Sequence, residues 1–319
     1  AMTDTPDVHV VLGASGGAGN AIVHALHDAG LSARAVNRAG DADVPEPVER
    51  MAADITSRDG VRRAVAGAEV VYLAAQPPYD RWLAEFPPML ARVIDAVPDG
   101  AKLVMVDNLY GYGPGASPIS ETSPQNATDT TGRVRRSMAQ TLEKTHRAGR
   151  IRVAIGRASD YIGPGPARSA ITALAIDPVS TGGRLRWTAT LDAPHSVAYL
   201  PDIGRAYVLL GTRDEADGRV WILPHAPAVT GREFLAMVNA ALPHPLKTGV
   251  ISTTMLRLAA PFNRDSREIL DIVYQWSEPF VADHSAFGEA FGPFPLTPLE
   301  DAVGETAQAR LSSDGEDRH

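Results

Sequence analysis

Between the apolar run Val10-Val11-Leu12 and the helical pattern Ala21-Ile22-Val23-His24-Ala25-Leu26 lies Gly13-Ala14-Ser15-Gly16-Gly17-Ala18-Gly19, with glycines spaced at 13, 16 and 19. A strand that ends in glycines and opens into a helix brings backbone N–H groups and the positive end of the helix dipole to one place, which is the chemistry of holding a pyrophosphate. The spacing is G-x-x-G-x-x-G and differs from the general dinucleotide fingerprint G-x-G-x-x-G. Gly13 is expected to make the tight turn, Gly16 to admit phosphates and Gly19 to let the helix pack on the strand. Ala14, Ser15, Gly17 and Ala18 complete the candidate set. The alternative is a glycine-rich turn with no ligand, and the neighbouring segments decide between the two.

Further chemistry gathers where strands end. The second strand, Ser32 to Val36, delivers Asn37-Arg38. An acidic residue there accepts from both ribose hydroxyls of NAD, whereas an arginine pairs with a 2′-phosphate, so Arg38 favours NADP(H) over NAD(H) unless it is only a solvated surface arginine. Met51 to Ile55 forms a third strand whose end, Asp54 and Ile55, could meet an adenine; Asp54 or Thr56 could equally cap the helix of Arg58 to Ala66. The apolar run Val70 to Ala75 reads as a central parallel strand, with small Ala74 and Ala75 leaving room for a cofactor. The fifth strand, Lys102 to Val106, leads into Asp107-Asn108-Leu109-Tyr110-Gly111-Tyr112, and the sixth, Ile151 to Gly156, into Arg157-Ala158-Ser159-Asp160-Tyr161. Ligands of open α/β sheets bind at such carboxyl ends, which makes Asp107, Asn108 and Tyr110 candidates for catalysis and Ala158 and Ser159 candidates for cofactor contact.

The elements that must position these residues alternate strand and helix for some 160 residues, so the fold class is α/β: a doubly wound parallel (Rossmann) sheet with a smaller mixed α/β carboxyl-terminal substrate region. The expected division is a dinucleotide-binding domain over 1–165, a substrate-binding region over 166–311 with some return to the sheet, and a flexible tail over 312–319. The chain has 319 residues, 44% hydrophobic and 21% charged, enough for a large core. A net charge of −8 without a Lys/Arg run excludes a nucleic-acid partner. There are no cysteines, hence no disulfides or thiolate chemistry. No apolar run reaches membrane-helix length and no signal-peptide layout opens the chain, which predicts a cytoplasmic protein, monomer or homodimer, with a small-molecule substrate. Ala1 ahead of Met2 reads as a residue left over from expression. His9, His24, His27 and His146 lack metal-ligand spacing, and no metal is expected. His195 is either a general base or a structural histidine.

With these residues in order, and with Tyr110-Gly111 and Tyr161-x-Gly163-Pro164, the chain resembles the extended short-chain dehydrogenase/reductase family, its epimerase/dehydratase group, from Val8 to about Arg310. His195-Ser196-Val197-Ala198-Tyr199-Leu200-Pro201-Asp202-Ile203-Gly204 and Phe291-Gly292-x-Phe294-Pro295-Leu296-Thr297-Pro298-Leu299-Glu300 extend the likeness. The resemblance implies a nicotinamide cofactor and a Tyr-x-x-x-Lys pair on the helix after the fifth strand, where a nearby ammonium lowers the phenol's pKa for proton exchange. That pair is missing: the matching segment is Thr131-Gly132-Arg133-Val134-Arg135, and no tyrosine lies between Tyr112 and Tyr161. A threonine hydroxyl is far too weak an acid. Arg135, at the lysine's place, could contact the nicotinamide ribose and supply a fixed charge. Val106 stands where the family has Ser or Thr, and Asp107-Asn108 where its dehydratases carry an acid pair; Asp107 could instead be a turn or cap residue. Tyr110, Tyr112 and Tyr161 are replacement acids or packed aromatics.

Three readings follow. One is an NADP(H)-binding atypical reductase of a small carbonyl or sugar-like metabolite with a relocated proton donor. Another is a redox-neutral isomerase, lyase or dehydratase that uses or retains NADP. The last is a catalytically silent dinucleotide-binding sensor.

Overall fold

The computed structural model describes residues 8–316, apart from the side chains of residues 265 and 313–316. Strand and helix alternate first: β1 (Val8–Leu12), α1 (Gly17–Asp28), β2 (Ala33–Asn37), β3 (Glu49–Ala52), α2 (Arg58–Ala64), β4 (Ala68–Leu73), α3 (Trp82–Ala96), β5 (Lys102–Asn108), α4 (Thr130–Arg147) and β6 (Arg152–Ala158). The pattern then turns irregular through β7 (Asp160–Ile162), α5 (Pro178–Thr181), β8 (Leu185–Thr188), β9 (Pro194–His195), β10 (Val197–Tyr199), α6 (Leu200–Thr212) and β11 (Val220–Ile222). β12 (Val229–Thr230), α7 (Gly231–Ala240), β13 (Thr248–Ile251), α8 (Thr253–Ala259), α9 (Arg264–Asp271), α10 (Tyr274–Ser277), α11 (Ser285–Phe291) and α12 (Leu299–Glu316) complete it.

The central sheet is parallel, seven strands in the order β11-β6-β5-β4-β1-β2-β3, with the chain starting in the middle and winding both ways. This is the doubly wound Rossmann arrangement the sequence predicts, and it fixes which strand ends share one edge. Val10 to Leu12, Val70 to Leu73 and Leu103 to Met105 are almost wholly buried, because a parallel strand with helices on both faces needs an unbroken apolar run instead of an alternating one. Lys102 at the start of β5 is buried as well. Its ammonium donates to the carbonyls of Leu210 and Arg213 and pairs with Asp217 at 2.6 Å, holding the carboxyl end of α6.

The chain divides into two compact units, neither of them contiguous. Unit 1 takes the described part of Ala1–Asn108, with Arg133–Arg157 and Pro201–Leu223; unit 2 takes Leu109–Gly132, Ala158–Leu200 and the described part of Pro224–His319. The sequence reading draws a boundary at 165 with some return to the sheet beyond it; the segment Pro201–Leu223, which adds β11, belongs to unit 1. In unit 2 a core forms around Trp187, Phe234 and Trp276, packed with Leu185, Val238 and Val303. Strand β8 and the helices α7 and α12 supply these side chains except Trp276, which comes from α10. Helix α12 continues through Glu316, beyond Ser312 where the sequence reading starts its tail. Residues 317–319 of that tail lie outside the described residues.

Candidate functional site

The glycine turn follows from sterics at two of its positions. Gly13 adopts φ +94°, and a Cβ there would sit 2.6 Å from the backbone nitrogen of Ala75 at the end of β4. Gly19, in the first turn of α1, passes so close that a Cβ would lie 2.2 Å from the Gly13 carbonyl oxygen. Gly16 is different. Its backbone is extended (φ −83°, ψ 160°), and a Cβ would meet only the Gly13 oxygen, at 3.4 Å. Among the described residues nothing requires glycine at 16, and its position is an uncapped helix terminus. No side chain caps the amino end of α1, and its first turn carries no acidic residue, so the helix dipole and N–H groups there are left for an anion.

The neighbouring strand ends form a braced rim. Asn37 at the end of β2 donates to Ser15 Oγ (3.0 Å) and to Asp41, while its own oxygen accepts from the N–H groups of Gly40 and Asp41. Arg38 beside it is exposed. The Asp54 carboxyl is held below its ordinary range, first by the Thr56 hydroxyl and then by the Thr56 N–H, with Arg38 adding to the effect. Both Thr56 bonds go to Asp54 Oδ1, at 2.7 and 2.9 Å. The helix cap is neither Asp54 nor Thr56 but Ser57, whose Oγ accepts from Gly60 N–H at 3.0 Å. Ile55, Ala74 and Ala75 are half-buried.

At the end of β5 the sequence-derived candidates Asp107 and Arg135 meet each other. The carboxylate of Asp107 accepts from Arg157 Nε at 2.8 Å and lies 3.3 Å from Arg135 Nη1; the three side chains are 3%, 1% and 4% exposed. Arg135 also donates to Gln76 Oε1 (2.7 Å), and its guanidinium lies 4.3 Å from the ring centre of Trp82 and 4.6 Å from that of Phe86. Its charge is thus committed to Asp107 and to two aromatic faces. Asp107 Oδ1 and Arg135 Nε make no hydrogen bond, the pair meeting only as charges. Sequence reasoning missed Arg157, Gln76 and Trp82. A signal for Arg157 existed, since a charged residue closing an otherwise apolar buried strand must find a counter-charge. Asn108, next to Asp107, is half-buried.

The other candidates belong to unit 2. Tyr110 and Tyr161 are half-buried, whereas Tyr112 is fully buried, and Thr131 donates to Asp129 at 2.6 Å. Ala158 and Ser159 are buried, and the Ser159 N–H donates to His225 Nε2 at 2.9 Å. His195 sits among partners that sequence reasoning had not placed. Nε2 lies 2.9 Å from Asp160 Oδ2 and 3.4 Å from Ser159 Oγ, Nδ1 lies 2.9 Å from the Gln275 carbonyl, and the ring stacks on Trp276 and Phe280. This histidine is buried and fully engaged. Among the described residues no cluster of His, Asp or Glu is arranged to hold a metal, and no helix is long and apolar enough to cross a membrane.

Residues 9–223 match the profile of the NAD dependent epimerase/dehydratase family. No curated protein matches the chain in sequence. Among solved structures, the Bordetella bronchiseptica enzyme WbmH, in complex with NAD+, is 16% identical with a TM-score of 0.73, covering 97% of this chain and 99% of its own. The UDP-glucuronic acid 4-epimerase of Bacillus cereus, in complex with NAD, is 14% identical with a TM-score of 0.77 (96% and 99%). The epimerase Mth375 of Methanothermobacter thermautotrophicus is 14% identical with a TM-score of 0.79 (98% and 94%). At such identities the likeness is one of fold.

Proposed function

Because the chain belongs to the NAD dependent epimerase/dehydratase family, we propose that it is a dinucleotide-dependent enzyme that favours NADP(H) over NAD(H) and acts on a small carbonyl or sugar-like metabolite, with a proton donor other than a Tyr-x-x-x-Lys phenol. The observation that carries this reading is Gly16, a glycine that packing does not require, exposed at an uncapped helix terminus. A bound nicotinamide supplies hydride transfer. The chain's own part is to hold and orient. The backbone from Gly13 to Ala18 receives the diphosphate, Arg38 pairs with a 2′-phosphate, and Asp54 keeps Oδ2, the oxygen Thr56 does not use, for an adenine amino group. Ile55, Ala74 and Ala75 form the adjoining wall in unit 1. Asp107 and Arg135, paired as charges, act as positioning residues, and Asn108 is the unit 1 group proposed to meet the substrate.

Titration with NADPH and NADH is the first test. NADPH is expected to bind more tightly, and Arg38→Ala to weaken NADPH by about ten-fold while leaving NADH almost unchanged, the loss of one charge-assisted pair. Equal losses overturn the NADP(H) preference. No affinity for either dinucleotide in folded protein overturns the enzyme reading as well. Incubation with NADPH and a panel of aldehydes, ketones and nucleotide sugars then separates the reactions: absorbance loss near ~340 nm reports net reduction. Product without that loss makes the enzyme redox-neutral, and retained affinity with neither makes the chain a sensor.

A further inference from the structure

Unit 2 contains a cavity of about 360 Å³ that the dinucleotide reading does not use. One side of its lining is the outward face of the β8–β13 pair, where Arg186 of β8 and Arg184, the residue just before the strand, both line the chamber. Gly249 is the register partner of Arg186. A Cβ on Gly249 would lie 3.2 Å from Arg184 Cδ, so the glycine gives the Arg184 stem room to lie across β13. The remaining walls are aliphatic: Val250 and Ile251 from β13, Met255, Leu256 and Ala259 from α8, with Ser266 contributing a hydroxyl.

Two features of the lining point to an anionic, partly apolar ligand. Neither the Arg184 nor the Arg186 guanidinium forms a hydrogen bond or ion pair with any described residue, although acidic residues outnumber basic ones in the chain, 38 to 30. Two like charges lining one chamber repel each other unless an anion lies between them. Val250 and Met255 are 36% and 56% exposed at the wall, apolar surface left in water. No aromatic platform and no amide lines the cavity to read a nucleobase. An aliphatic chamber with two guanidiniums matches a ligand that has a saturated body and a carboxylate head.

We propose that this cavity binds a medium-length aliphatic carboxylate, the hydrocarbon against Val250, Met255 and Leu256 and the carboxylate between Arg184 and Arg186. The site is independent of the dinucleotide reading, since every lining residue belongs to unit 2 and the test needs no dinucleotide.

The test is calorimetric titration of the full chain, below micellar concentrations, with decanoate, decanol and decyltrimethylammonium. Decanoate is expected to bind saturably with one-to-one stoichiometry, at least about ten-fold more tightly than either of the others, and more weakly as salt is raised. Arg184→Gln combined with Arg186→Gln, both at exposed positions, should remove that advantage and leave decanol binding where it was. Ala259→Trp, which fills the chamber from α8, should abolish binding of all three with an unchanged far-UV spectrum. Equal affinity for decanoate and decanol, non-saturating uptake, or an unaffected arginine double variant overturns the proposal. Displacement of decanoate by UDP, with inorganic phosphate inert, also overturns it by assigning the arginines to a nucleotide.

Discussion

Two aspartates with buried side chains, Asp107 in unit 1 and Asp160 in unit 2, solve the same problem with different partners. Asp107 faces two guanidiniums, Arg157 and Arg135, which keep their charge under all ordinary conditions. Asp160 faces one imidazole, whose ring is also held by the Gln275 carbonyl and by the faces of Trp276 and Phe280. Removing the first carboxylate leaves two buried guanidiniums without the anion they share. Removing the second leaves a ring that retains other partners. Burial alone therefore does not rank the two sites; what each partner is left with does.

The sharpest way to break that ranking is Asp107→Ala. It is expected to cost about 3–5 kcal/mol, the range for unpairing a buried charge, read from urea denaturation midpoints. Asp160→Asn should cost less, about 1–3 kcal/mol, because the amide preserves the volume and leaves one polar contact poorly matched. If Asp160→Asn proves the more damaging, the reasoning from partners fails.

A third, exposed aspartate sets the low end. Asp54 is exposed and its side-chain hydrogen bonds come from Thr56, so Thr56→Val should change stability by no more than about 0.5 kcal/mol near neutral pH. The folded carboxyl titrates below its unfolded value. Its contribution is therefore present above the ordinary carboxylate range and lost as pH falls through the lowered folded value. Denaturation of the parent and of Thr56→Val should thus converge as pH falls below the lowered folded value; a gap that widens on acidification contradicts the assignment.

What could be read from the sequence divides along the same line, between local constraint and distant pairing. The glycine turn, the strand ends and the sheet class were legible because their physics is short-range: a positive φ at Gly13, a close approach at Gly19, apolar runs in β1 and β4. The helix entry after β3 was misplaced by one to three residues, since Asp54, Thr56 and Ser57 all have capping side chains and only the backbone path selects Ser57. The charged clusters were half legible. Asp107 and Arg135 were singled out, but Arg157 lies 50 residues after Asp107 in the chain and the Gln275 carbonyl 80 after His195, separations that only the strand order and the unit 2 core bring together. The cavity beside Arg184 escaped the sequence reading for the same reason, being assembled from β8, β13 and α8.

The interleaving of the two units bears on how the molecule is made. With segments ending at 108, 132, 157, 200 and 223, the polypeptide passes from one unit to the other five times. No single truncation isolates either unit as a continuous piece, so any minimal fragment has to be assembled by rejoining segments rather than by trimming ends. During synthesis the large sheet also lacks its edge strand until Ile222 has emerged, by which time roughly two thirds of the chain is outside the ribosome.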